Sequence, residues 1–270
     1  MREHHIKGEF SWPKGYRIAV MLSFDFQGGE GIQALPDGKM DHEKNTQAEY
    51  GPKTGIWRIL RMLEDLKVKA TFLTCGGIAE RYPESVQAIA SKGHEIAGHG
   101  YHHEVARNLS KAEELEIIQR TTDRIESVVG KRPIGWRSCT QSPNSLELLM
   151  RQGYGWNSNS FSYDFPFIWE FEHQRLAELP RQPFGDGRLY GRRDSGNPHD
   201  SLMVWRALFD ELYEESVLAP TFCPFQFHPY VSSRPGRAKA LAELIQHMKN
   251  QKGVWFATGS EVARRILNQL

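Results

Sequence analysis

Short apolar runs alternate with longer stretches of helical period along most of the chain. That alternation is the mark of strand and helix crossovers, which build a parallel sheet. "RIAVMLSFD" (17–25) is the first apolar run, and the Gly-rich polar stretch after it, "QGGEGIQALPDGKMDHEKNTQAEYGP", is too long to be only a connector. "TGIWRILRMLEDL" repeats its apolar residues at helical spacing, and "KATFLTC" reads as the second strand. "PESVQAIASKG" reads as a short helix with Pro at its start and Gly at its end, and "HEIAGHG" as the third strand. The clearest helix is "SKAEELEIIQRTTDRIESVVG", which opens on Ser110 and Glu113 as a capping box and closes at Gly130. Four further units follow: "PIGWRS" with "SPNSLELLMRQG", then "GWNSNSF", then "LAELPRQP" with "DSLMVWRALFDELYEE", then "PTFCPFQFHPY" with "GRAKALAELIQHMKNQKG". "VWFATGSEVARRIL" ends the chain as a strand and a helix. The pattern predicts an α/β chain: a single distorted or incomplete (β/α) barrel of about seven strands over residues 17–270, behind an N-terminal arm of residues 1–16.

Composition narrows the partners. The 34 Lys+Arg against 33 Asp+Glu leave a formal net charge of +1, without a long run of either sign. Neither a nucleic-acid groove nor a membrane surface is described by such a balance, so a small-molecule substrate is expected. Charges run through the first twenty residues, where a secretory signal needs an apolar core, and no segment approaches eighteen consecutive apolar residues; the expected location is the cytoplasm. Cys75, Cys139 and Cys223 are odd in number and far apart, which fits neither a disulfide framework nor a CxxC metal site. Cys75 and Cys223 lie in apolar runs and read as small core residues.

The chemistry gathers at strand ends. "GHEIAGHGYHHE" (93–104) holds His94, His99, His102 and His103 out of eleven histidines in the chain. His99 and His103, four apart and just past a strand, form a common first step toward a divalent metal site, and a third ligand would be an acidic side chain on a neighbouring strand. Asp25, ending an apolar strand where a carboxylate has no packing role, supplies one. His228 in "QFHPY" ends another strand, and Arg137 in "GWRSC" places a guanidinium where it can hold a carboxylate. Tyr101, Trp136, Trp156, Phe165 and Phe167 crowd the stretches near the barrel mouth, as pocket lining or as core.

The motifs "SFDFQ", "HGYHH", "GWRSC" and "QFHPY", with the stretches around them from about Arg17 to Ile266, resemble the polysaccharide deacetylase family. The resemblance is to the branch that holds a peptidoglycan deacetylase, allantoinase-like and cyclic-imide hydrolase members. It implies a hydrolase of non-peptide carbon–nitrogen bonds, acting on a small amide or N-acetyl substrate, with a metal-independent ring opener or a non-catalytic binding barrel as alternatives. It further implies Asp25 as base, Arg137 as its orienter and His228 as general acid, with Asp186 of "LPRQPFGDG" supporting His228. A divalent metal, zinc by expectation, is implied on Asp25, His99 and His103, and the assembly is a homotetramer. One position departs from the pattern: the usual metal-binding carboxylate falls on Gln27, a neutral amide. Three arrangements stay open, in which Asp25 ligates the ion beside the histidines, Glu30 turns in to do so, or no metal is bound. Gln27, Glu30, Tyr101, His102 and Trp136 stand as candidate substrate contacts.

Overall fold

The computed structural model describes residues 1–4, 10–32, 39–190 and 196–269. Its strands are β1 (Arg2–His4), β2 (Ile18–Phe26), β3 (Thr71–Thr74), β4 (Glu95–Gly98), β5 (Gly135–Trp136), β6 (Trp156–Asn157), β7 (Phe167–Phe171), β8 (Gln174–Glu178), β9 (Thr221–Phe227) and β10 (Val254–Phe256). Seven of them run parallel in the order β9-β2-β3-β4-β5-β6-β8, with helices between, as an incomplete (β/α) barrel. Among the described residues no ladder joins β8 to β9, so the barrel is open there. Pro224 lies within β9 opposite Met21, and a strand with one neighbour is where a residue lacking an N–H is tolerated. β10 runs beside the first residues of β2, on the flank that β3 takes further along.

Alternation along β2 divides the core in two. Ile18, Val20, Leu22, Phe24 and Phe26 pack outward against the helices Ile56–Asp65 and Pro198–Glu215. Ala19 and Met21 turn the other way and meet Leu73, Ala97, Trp156 and Phe222 inside the barrel. All nine residues of β2 are buried, which is why the strand reads as an almost unbroken apolar run. Cys75 and Cys223 are fully buried and unpaired, as core residues.

Two features depart from the sequence expectation. The polar stretch after β2 holds a helix, His42–Tyr50, capped by the Asp41 side chain and continuous through Gly51–Gly55 with Ile56–Asp65. Its residues "HEKNTQAEY" carry no apolar stripe, so periodicity does not announce it. Before β8 an antiparallel partner, β7, is added through a hairpin whose two turn residues, Glu172 and His173, both have positive φ. Asn and Gly usually fill such a turn, and their absence hides it from a sequence reading. The N-terminal residues expected as an arm pair with β7 through β1 and bury Phe10 and Trp12.

Candidate active site

The inward alternation of β2 that sends Ala19 and Met21 into the barrel also sends Ser23 and Asp25 there, at the C-terminal end of the strand. On β9 the same alternation puts Gln226 and His228 on the side of Phe222. Arg137, just past β5, is 1% exposed and has its donors engaged: Nη1 to Asp25 Oδ1 at 2.6 Å and to Ser23 Oγ at 3.0 Å, Nη2 to Ser158 Oγ at 2.9 Å, and Nε to the Ser158 carbonyl at 3.1 Å. Gln226 Nε2 donates to the other carboxylate oxygen, Asp25 Oδ2, at 2.5 Å. Burial alone would raise the Asp25 carboxyl, but the Arg137 guanidinium, followed by His99 and His228, outweighs it and holds the group well below the usual carboxylate range. Asp25 is an anion at every working pH.

His228 is fixed from behind by Asp186, which has no exposed surface. Its Nδ1–H donates to Asp186 Oδ1 at 2.7 Å, while its backbone N–H and the Ser232 hydroxyl donate to Oδ2 at 2.7 and 2.6 Å. Burial disfavours the imidazolium, yet Asp186 and then Asp25 reverse the balance and raise the His228 pKa above its ordinary value. The free Nε2 of His228 faces Asp25 Oδ2 at 3.9 Å.

His99 completes the group from the opposite side, with Nε2 also 3.9 Å from Asp25 Oδ2. Its Nδ1 lies 2.6 Å from the Arg137 carbonyl, an acceptor, so the ring proton sits on Nδ1. Burial lowers its pKa to about 3, against the pull of Asp25, so the ring is neutral and Nε2 is an acceptor. Gln27 Oε1, itself an acceptor, lies 3.2 Å from that nitrogen. The half-buried His103 ring lies 4.8 Å from the His99 ring, and burial lowers its pKa as well. His103 occupies the left-handed region at φ 57, in a turn held by the Glu104 carboxylate, which accepts from the N–H groups of Tyr101 and His102 at 2.9 and 2.8 Å. Gly31, at φ 74, leaves room for it: a Cβ there would stand 2.8 Å from His103 Nδ1.

The metal expectation is met in part. His99 and His103 do come together, as the resemblance implies. Among the described residues, however, no three His, Cys, Asp or Glu side chains form a group able to hold an ion. Asp25 is not gathered with the pair into a metal-holding group, its carboxylate being turned to Arg137 and Gln226. Glu30 does not turn in either: it accepts from His102 Nδ1 at 2.6 Å and pairs with Arg81. The remaining donors are two neutral imidazoles and an amide, a set without a third strong ligand or an anionic one, which fits a zinc ion poorly.

Other candidates find different places. Tyr101 and Trp136 are drawn into packing, not toward a ligand: the Tyr101 hydroxyl donates to Glu80 at 2.6 Å beneath Arg120, and Trp136 Nε1 donates to Ser138 Oγ at 2.8 Å with its ring against Tyr154. His102 is exposed and bound to Glu30 at the mouth. Trp156 and Phe167 are core residues, with no exposed surface. Gln226, Ser23, Ser158 and Glu104 were missed by the sequence reading. For Gln226 a signal existed, since it shares the two-residue alternation of β9 with His228.

The family model described as polysaccharide deacetylase matches residues 48–154. A solved structure described as a "putative polysaccharide deacetylase" from Mycobacterium smegmatis is 30% identical, with 96% of this chain and 93% of that chain covered at a TM-score of 0.88. The peptidoglycan deacetylase of Helicobacter pylori is 24% identical over 93% of this chain and 97% of its own length. An allantoinase structure, 24% identical, shares the fold at a TM-score of 0.87 over 94% of this chain and 91% of its own. With the barrel, the strand-end Asp25, the histidine pair, Arg137 and His228 in place, and a relative matched at that level over nearly its whole length, this chain belongs to the polysaccharide deacetylase family and is an amide (carbon–nitrogen) hydrolase.

Proposed function

We propose that the chain hydrolyses a small amide or N-acetyl substrate, with Asp25 as base and His228 as general acid. The observation that carries this is the common distance from Asp25 Oδ2 to Nε2 of His228 and of His99, 3.9 Å in each case, which focuses a carboxylate and two imidazoles on one point. Water at that point is oriented by Asp25 and attacks the scissile carbonyl. Arg137 makes Asp25 a weak resting base, so the proton leaves the water as the new C–O bond forms and the water becomes acidic. His228, protonated and backed by Asp186, gives its Nε2 proton to the departing nitrogen, a step an amide needs because its anion leaves poorly. His99 stays neutral and holds its lone pair toward the same point.

The test is amine release from N-acetyl compounds, with a cyclic imide run in parallel to separate deacetylation from ring opening. His228→Ala is expected to lower kcat by roughly 10²–10⁴-fold, the usual worth of a positioned acid, with substrate affinity retained. Turnover unchanged by that substitution removes the acid assignment. Homotetramer assembly, on family likeness, and a cytoplasmic location, on the charges that run through the first twenty residues, are part of the same proposal; sedimentation of the purified chain reads the first.

A further inference from the structure

Arg181 lies three residues past the end of β8, at the opening of the barrel between β8 and β9. Its surroundings differ sharply from those of Arg137. Arg181 Nη1 reaches Gln226 Oε1 at 3.4 Å and Nη2 reaches the Asn159 carbonyl at 3.5 Å, both long against the roughly 2.7–3.2 Å of an ordinary N–H···O bond. Nε is shielded from solvent and has no hydrogen-bond partner. Among the described residues Arg181 forms no ion pair. Asp25 is held by Arg137 and Gln226, and the oxygens of Glu178 accept from Asn157 Nδ2, the N–H groups of Asn159 and Ser160, and Trp169 Nε1. A largely buried guanidinium left without an anion is costly to maintain, and such a site is completed by a negatively charged group. Burial, with Arg137 nearby, lowers the Arg181 pKa to about 10, which leaves it a cation at neutral pH. The half-exposed ring of Phe161 lies 4.5 Å from this guanidinium and forms its solvent edge.

Position supplies the rest. One side-chain amide, that of Gln226, accepts from Arg181 through Oε1 and donates to Asp25 through Nε2. The unpaired cation and the base are therefore one amide group apart. A molecule whose scissile carbonyl faces Asp25 would carry an anionic group at Arg181 only a few bonds away.

We propose that Arg181 is a specificity-determining residue that binds a substrate carboxylate, so that the substrate class is an amide with a carboxylate close to the scissile bond, such as an N-acylated α- or β-amino acid. This rests on the hydrolase reading above and adds the part of the molecule that is not cleaved. Planar bidentate pairing of guanidinium with carboxylate would use donors that the protein itself leaves on long bonds.

The experiment measures binding and turnover separately. N-acetylglycine and N-acetyl-β-alanine are each compared with the corresponding primary amide, by calorimetry for affinity and by amine release for kcat and KM, in wild type, Arg181→Lys and Arg181→Gln. Circular dichroism checks that the variants fold. Wild type is expected to favour at least one acid over its amide by roughly ten- to a hundredfold, the range for hydrogen bonds to a charged group. That preference should collapse in Arg181→Gln and persist in part in Arg181→Lys. No preference in wild type, through equal binding or through none, overturns the proposal, and so does a preference that survives Arg181→Gln. A carboxylate preference that depends on Arg181, with no hydrolysis of any compound, leaves the proposal standing and sinks the proposed reaction instead.

Discussion

Asp186 never meets solvent, yet it governs the proton that His228 is proposed to give away. Burial works against the imidazolium and Asp186 works for it, so the folded pKa of His228 lies above the ordinary value of about 6.5. Because the acid form is the active one, kcat/KM should fall as pH rises through that raised pKa. Asp25, held far below the usual carboxylate range, adds no limb near neutrality. In Asp186→Asn the charge is lost and the single amide oxygen cannot serve both sets of donors that the carboxylate holds, so the alkaline limb should move to lower pH and the neutral rate should drop. A pH–rate profile shows this, and a limb that stays where it was would mean that another group carries the proton. Gln27 is the second residue whose charge decides a property. Its amide lies 3.2 Å from His99 Nε2, and Gln27→Glu is nearly isosteric, so it places a carboxylate beside two neutral imidazoles. Elemental analysis should find zinc well below one equivalent in wild type and close to one in Gln27→Glu, because carboxylate and imidazole together make the ligand set the wild type lacks. Full, chelator-resistant zinc in wild type would show that the ion has ligands other than those brought together here.

At the scale of elements, what the sequence makes legible is what burial writes into it. β2 and β9 are covered on both sides and read as apolar runs, and their ends carry Asp25 and His228 in plain view. The long helix Lys111–Val129 is legible because its capping box and terminal Gly130 are local signals that need no knowledge of the fold. β5 and β6 are two residues each, so Arg137 is found from its motif and not from any strand pattern. The helix His42–Tyr50 and the β7–β8 hairpin stay hidden because one lacks an apolar stripe and the other lacks its usual turn residues. The site follows the same rule. Charged residues at strand ends stand out against apolar neighbours; Gln226 can be found only through its two-residue alternation with His228, and Arg181 matters through where the end of β8 places it, which no local pattern carries. Tyr101 and Trp136 show the converse, since an aromatic near a mouth looks like a pocket until the packing around it is known.

At the scale of the whole molecule, the two ends of the barrel divide stability from chemistry. Asp25 and His228 lie at the C-terminal ends of their strands, while Phe10 and Trp12 pack against the opposite end. Trp12 is buried there, its Nε1 donates to the Thr221 carbonyl at the start of β9 at 2.9 Å, and its ring meets those of Phe10 and Trp255. It thus ties the N-terminal segment to β9, which borders the opening in the sheet, and to β10 on the other flank of β2. Trp12→Ala removes a large buried ring and leaves the Thr221 carbonyl without its donor, at a cost of about 3–5 kcal/mol. For a chain of this size that corresponds to a fall in melting temperature of roughly 6–20 °C. The strand-end groups that do the chemistry are a full strand length away and keep their partners, so kcat for the folded fraction should stay within about twofold of wild type, as additivity at distant sites implies. Calorimetry and kinetics on the same preparation test both halves. A large loss of kcat at a temperature where the variant is folded would show that the floor of the barrel is coupled to Asp25 and His228, and that stability and chemistry are not separated along the strands.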